Sequence, residues 1–239
     1  GAFPQSTSGS TSFRPRYITV GNFPTAGGGT TEVTLDTSVL TITDIDGGTS
    51  DDALTISYAG GNYTITDAGG LLLTTAIAGA TGEGTDTLTI PDTGVTGIKF
   101  DTLGGGDSVT VTSIQAALTG AFTIEAGDGA DSATINTSAI NAASITLNDS
   151  VPLSQSTTLT ADEIDFGGGA NSVSGTSNLI LAPATASTTI GVGGGAGTLD
   201  ISDSDIAALA DGFTIITIGK SDAGNITIDT ATFLDPLTL

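Results

Sequence analysis

The chain of 239 residues carries 26 Asp and Glu against 4 Lys and Arg, a formal net charge of −22, and contains no His, Cys, Met or Trp. That field repels phosphate backbones and argues against nucleic-acid binding, while the missing side chains exclude disulfides, zinc and haem ligation, thiol nucleophiles and histidine acid–base work. What remains for chemistry is carboxylate, hydroxyl, three Tyr, two Lys and two Arg, so the composition points to a non-enzymatic protein.

Residues 1–30 stand apart from the rest. They hold both arginines, three of the seven prolines and no acid, giving a charge of +2 and leaving −24 on residues 31–239. The chain therefore divides into an extended basic arm over 1–30, ending at the flexible Ala26-Gly27-Gly28-Gly29, and a body over 31–239. Arg14 and Arg16 suit docking on the acidic body of a neighbouring copy, with Tyr17, Ile18 and Val20 of the Tyr17-Ile18-Thr19-Val20 run adding a strand to an exposed sheet edge; a frayed terminus is the plainer alternative. The start at Gly1, without a charged-plus-apolar leader, reads as a processed or excised segment.

Beyond the arm, alternation of apolar with hydroxyl residues predicts strands at VTLDT (33–37), LTITD (40–44), ALTIS (53–57), YTIT (63–66), FTIEA (122–126), SITLN (144–148), TIITIG (214–219) and NITID (225–229). Five more come after Gly-rich turns, in TGEGTDTLTI (81–90), GGGDSVTV (104–111), AGDGADSATI (126–135), GGGANSVSG (167–175) and GGGAGTLDIS (193–202). Glycine permits the tight backbone, a small polar residue ends each turn, and β-branched residues dominate the strands themselves. No apolar run reaches the length of about 18 residues expected of a helical membrane span. A spanning barrel would need aromatic girdles, which a chain without Trp does not supply.

The first apolar residues after the Gly-rich turns, Leu88, Val109, Ala133, Val173 and Leu199, lie 21, 24, 40 and 26 apart, and the 40 reads as two steps with SITL (144–147) or TLT (158–160) at the middle one. This spacing predicts an all-β parallel β-solenoid, or β-helix, with inward Ile, Val and Leu ladders. Tandem antiparallel β-sandwiches are the alternative, since they too space strands by about 8 to 12 residues. Hairpin signals are few, with Asp-Gly only at Asp46-Gly47, Asp128-Gly129 and Asp211-Gly212.

The densest carboxylate cluster is Asp44, Asp46, Asp51 and Asp52 in TDIDGGTSDDAL, where alternation puts Asp44 and Asp46 on one face. It admits a Ca²⁺ ion but lacks the ligand order of an EF-hand loop, so a solvated acidic turn is the stronger reading. Asp162, Glu163 and Asp165, and Asp200, Asp203 and Asp205, repeat that ambiguity. Paired carboxylates could also serve a β-helical polysaccharide-cleaving enzyme, but the body offers only Lys99 and Lys220 to stabilise developing charge.

The last 29 residues, DGFTIITIGKSDAGNITIDTATFLDPLTL (211–239), with DSDIAALA (203–210) before them, resemble the coils of filamentous-haemagglutinin-like and autotransporter-type bacterial surface proteins. That resemblance implies a right-handed parallel β-helix and an extracellular adhesin, exoprotein or fibre component. The turns AGDGADSAT (126–134) and TGEGTDTLT (81–89) also resemble the nonapeptide of repeats-in-toxin calcium rolls, lacking its first Gly, which implies Ca²⁺ at Asp86 and Asp131. The copies here are not tandem, and turn capping is the competing role for both residues. Together these readings predict a secreted or cell-surface structural protein, a solenoid segment of an adhesin or a subunit that self-associates head to tail into a fibre, with no cofactor unless Ca²⁺ binds. A calcium-stabilised module that binds glycans or cells is the second reading.

Overall fold

The computed structural model describes residues 30–45 and 50–239. Arg14, Arg16, Tyr17, Ile18, Val20 and Asp46 lie outside the described residues. Among the described residues the protein is nearly all β, with one short helix and no sheet that closes on itself.

Antiparallel pairing is confined to the first part of the described chain. Thr30–Asp36 pairs with Val39–Asp44 across a two-residue turn at Thr37 and Ser38, whose φ angles are 47° and 71°. Ala53–Ala59 pairs with Asn62–Asp67 across Gly60 and Gly61, at 58° and 80°, and Thr87–Pro91 pairs against the far side of Asn62–Asp67. Positive φ at both central residues gives a turn whose twist matches the flanking strands. Gly-Gly satisfies that requirement without steric cost, whereas Thr37-Ser38 satisfies it against propensity, which is why no hairpin is legible there from sequence.

From Gly97 onward every strand pairing among the described residues is parallel. Gly97–Asp101, Ala121–Glu125, Ser144–Leu147 and Ile164–Phe166 stack in sequence order on one seven-stranded sheet. Ser108–Val111, Ser132–Ile135, Val151–Leu153 and Val173–Gly175 do the same on a second. Ala139–Asn141, Thr157–Thr160, Asn178–Ala182 and Ile215–Ile218 form a third face. Between residues 139 and 182 the chain visits these sheets in a fixed cyclic order.

Register makes this arrangement a core. Leu40, Ile98, Phe122, Ile145 and Ile164 are direct neighbours in one column, and Ile42, Phe100, Ile124, Leu147 and Phe166 form the next. Ile56, Val111, Ile135 and Leu153 line the second sheet, and Ile140, Leu159, Leu181 and Ile218 the third. All are buried. The intervening Thr41, Lys99, Thr123, Thr146 and Asp165 face outward, as a period of two requires. Each fully buried Phe or Ile contributes about 1.5–3 kcal/mol of burial free energy.

Close backbone approach explains the glycine at the corners, where Gly104–Gly105 pairs in parallel with Asp128–Gly129. A Cβ on Gly129 would collide with the Gly105 carbonyl, so backbones come nearer to each other here than any side chain allows.

Three expectations about spacing need correction. Leu88 does not share a column with Val109, because it pairs antiparallel with Ile65. Leu199 pairs with Ile190 in a separate three-stranded sheet. The 40-residue interval does contain two steps, but Val151–Leu153 marks the middle one, whereas SITL and TLT belong to the other two faces. Residues 203–210, moreover, are partly helical. Ser202 caps Asp203–Ala208 with a reciprocal capping box to Asp205. That helix and the residues just after it cover strand ends: Phe166 N–H donates to Asp205 Oδ1 at 2.8 Å, Asn171 N–H to Ala207 O at 3.0 Å and Ala210 N–H to Val173 O at 2.8 Å.

Candidate functional site

The residues that end the Gly-rich turns come together as a column. Ala53, Ser108 and Ser132 are register neighbours, so Asp52, Asp107 and Asp131 stand one above another just before three successive strands. Asp52 N–H donates to Asp107 Oδ1 at 2.8 Å, and Asp107 N–H donates to Asp131 Oδ1 at 2.8 Å. Each carboxylate thus caps the backbone of the strand before it. Asp149 continues the theme, accepting the Ala126 N–H at 2.6 Å, and Asp51 accepts the Gly106 N–H at 2.8 Å.

The upper end of this column lies where the hairpins meet the parallel strands. Asp67 ends Asn62–Asp67, and the next residue, Ala68, donates its N–H to Ala53 O at 2.9 Å, which sets Asp67 beside Asp52. Asp44 ends Val39–Asp44 opposite Thr31, whose hydroxyl donates to Asp52 Oδ1 at 3.1 Å. Asp44, Asp52 and Asp67 are each 1% exposed and Asp107 is 2% exposed. One carboxylate oxygen of Asp52, Asp67 and Asp107, and the Ser50 hydroxyl, are buried without a hydrogen-bond partner.

Such a grouping perturbs ionisation. Burial, then the charge of Asp44, and to a lesser degree Asp67 and Asp107, push the Asp52 carboxyl up to about 7, against the Thr31 hydroxyl, which favours the anion. Burial also raises Asp107, with Asp131 and Asp51 adding repulsion, and raises Asp149, with Asp131 and Glu125 adding theirs. The two described lysines are engaged elsewhere: Lys99 with Asp101 and Glu125 at 2.7 and 3.1 Å, and Lys220 with Asp222 at 3.3 Å.

Of the ligand candidates read from sequence, the structure sets Asp44 beside Asp52, turns Asp51 to the surface against the Gly106 N–H and places Asp131 further along the same column. Asp86 sits at an exposed turn, where its carboxylate accepts the Thr87 hydroxyl and its carbonyl accepts the Asp67 N–H. Asp67 and Asp107 escaped the sequence reading. The signal for Asp107 was the repeated Asp-Ser before a strand, at 107–108, 131–132 and 149–150; for Asp67 it was only an Asp with Ala-Gly-Gly after it. Among the described residues, no three acidic side chains are grouped so as to hold a metal ion as they stand.

A second acidic region surrounds an open cleft of about 430 Å³ lined by Asn148, Asp165, Phe166, Ser204 and Asp205. Burial raises Glu163 and Asp165, with Asp205 and Asp200 adding repulsion. Asp205 is committed to structure, accepting from Phe166 and from both the N–H and the hydroxyl of Ser202. Asp162 likewise holds the loop after Ala182 through the Thr185 N–H at 2.9 Å and the Thr188 hydroxyl at 3.2 Å.

No protein-family model, curated protein or solved structure matches the chain. Among the described residues no helix is long and apolar enough to cross a membrane.

Proposed function

We propose that the chain is a β-solenoid structural segment of an extracellular adhesin or surface fibre, and that copies associate head to tail through the basic arm. The observation that carries this reading is the in-register column from Leu40 through Ile98, Phe122 and Ile145 to Ile164, repeated on two further faces. Successive strands displaced by one inter-strand spacing of about 4.8 Å build a shaft whose length grows with the number of repeats. Its function is then geometric: an apolar interior, and an acidic, hydroxyl-rich exterior that resists nonspecific association.

Both ends of such a shaft need protection against edge pairing. At one end, Leu73 exchanges backbone hydrogen bonds with Thr85 and Gly84, so residues 81–85 cover Leu72–Thr75. At the other, the helix Asp203–Ala208 and the residues just after it cover the ends of two faces, while the third face ends on Leu237–Thr238 with Leu234, Leu237 and Leu239 exposed. The Leu237–Thr238 edge is where the Tyr17–Val20 segment of a second copy would add its strand, with Arg14 and Arg16 drawn by the acidic body.

Electron microscopy of the full chain and of a form lacking residues 1–30 tests this reading. The proposal expects rods or filaments from the first and short, unassembled particles from the second. Assembly unchanged by the deletion removes the arm from the mechanism, and compact particles from both remove the fibre.

A further inference from the structure

We propose that the junction between hairpins and parallel strands binds one hard divalent cation, Ca²⁺, through the carboxylates of Asp52, Asp67 and Asp107. This inference does not rest on the assembly reading.

Three observations carry it. The three carboxylates belong to residues exposed by only 1%, 1% and 2%, and each leaves one oxygen without a donor. Buried polar oxygens are otherwise almost always partnered, and orphans on three neighbouring residues are a deficit of positive charge or of donors. The groups are also adjacent: Asp52 N–H binds Asp107 Oδ1, and the Ala68 N–H next to Asp67 binds Ala53 O next to Asp52. Finally, nothing described supplies the compensating charge, because Lys99 and Lys220 are paired with other carboxylates. Buried negative charge left without a partner carries a desolvation cost that a cation would offset.

The donor set selects the cation. The three carboxylates offer oxygen alone, which suits Ca²⁺ or Mg²⁺ and not the metals that prefer nitrogen or sulfur. Mg²⁺ demands near-ideal octahedral geometry, whereas Ca²⁺ accepts irregular shells completed by water and backbone carbonyls. Because the three groups do not yet form a closed ligand set, binding includes rotation of their side chains toward a common point, and the adaptable ion is favoured. Asp131 keeps its cap on Asp107, and Asp86 takes no part.

The test is calorimetric titration of the EDTA-treated full chain with CaCl₂ near pH 7, with MgCl₂ as comparison, and then thermal melts. The expected result is one bound calcium, weaker magnesium binding, and a melting temperature raised by about 5–10 °C at a hundredfold excess over Kd. Asp107→Asn and Asp67→Asn should weaken binding at least tenfold, while Asp86→Asn leaves it unchanged. Absence of binding heat together with an unmoved melting temperature overturns the proposal. Undiminished calcium binding in both Asp107→Asn and Asp67→Asn also overturns it, by placing the ion elsewhere. Where a variant fails to fold, the wild-type protein decides: one bound calcium with a raised melting temperature supports the site, and an unmoved melting temperature with no binding heat contradicts it.

Discussion

Residues 30–91 and residues 97–182 are written in the same alternation of Thr with Ile, Val and Leu, yet the first stretch folds back on itself and the second passes forward. The difference lies in the turns. Thr37-Ser38 and Gly60-Gly61 place two consecutive residues at positive φ and reverse the chain. The corners at Gly104–Gly105 and Asp128–Gly129 pair with each other in parallel and hand the chain to the next sheet. The two regions share strand chemistry and differ in direction, so direction is a property of the connections. Where they meet, the carboxylates that end strands and turns crowd together at Asp44, Asp52, Asp67 and Asp107.

The largest effect should come from emptying a column of the parallel region. Phe122→Ala removes a side chain stacked between Ile98 and Ile145 and should cost about 3–5 kcal/mol in a denaturant melt. Because parallel neighbours share the column, unfolding should remain a single transition; a separate early transition would mean that the two regions fold independently. Next come the corners. Gly129→Ala drives a methyl into the Gly105 carbonyl and should cost about 3 kcal/mol. Gly60→Ala meets nothing within 4 Å and suffers only from its φ of 58°, about 1 kcal/mol. Equal costs at the two glycines would erase the distinction between reversing and forwarding turns.

Changing the pH sharpens the comparison at the junction. With Asp52 moved from 3.8 to about 7, the folded state holds its proton more tightly than the unfolded state. That contribution is fully present below pH 4 and is lost as pH rises towards 7. In EDTA, Asp52→Asn should therefore melt higher than wild type above pH 7 and lose this advantage at pH 4. A constant difference across that range would mean that Asp52 titrates normally. The smallest effect is a gain: Thr37→Asn with Ser38→Gly suits the turn's positive φ and should stabilise the protein by about 0.5–1 kcal/mol in the same melts.

Period-two alternation made strands such as Leu40–Asp44, Ala53–Ser57 and Phe122–Glu125 legible, and the Gly-rich preludes marked corners. The remaining elements were hidden by their length or by their dependence on partners. Val151–Leu153 and Ile164–Phe166 are three residues each, too short to show a period, and they are fixed by the strands beside them. The helix Asp203–Ala208 had a readable cap in Ser202 and Asp205, but its six residues carry no helical repeat of their own. At the acidic site, clustering along the chain revealed Asp44, Asp51 and Asp52. Asp107 is 55 residues from Asp52, and only parallel register brings it alongside. Asp86 and Asp131 matched a turn motif, yet the fold separates them.

The in-register parallel stack is most directly tested by a spin-label distance. The chain has no cysteine, so labels can be placed uniquely at the outward positions Thr41 and Asp165, which the ladder through Lys99, Thr123 and Thr146 sets four strands apart. Pulsed electron paramagnetic resonance should give a single distribution centred near four inter-strand spacings, about 19 Å between backbones. A distribution split into several distances, or centred clearly away from that separation, contradicts the stack.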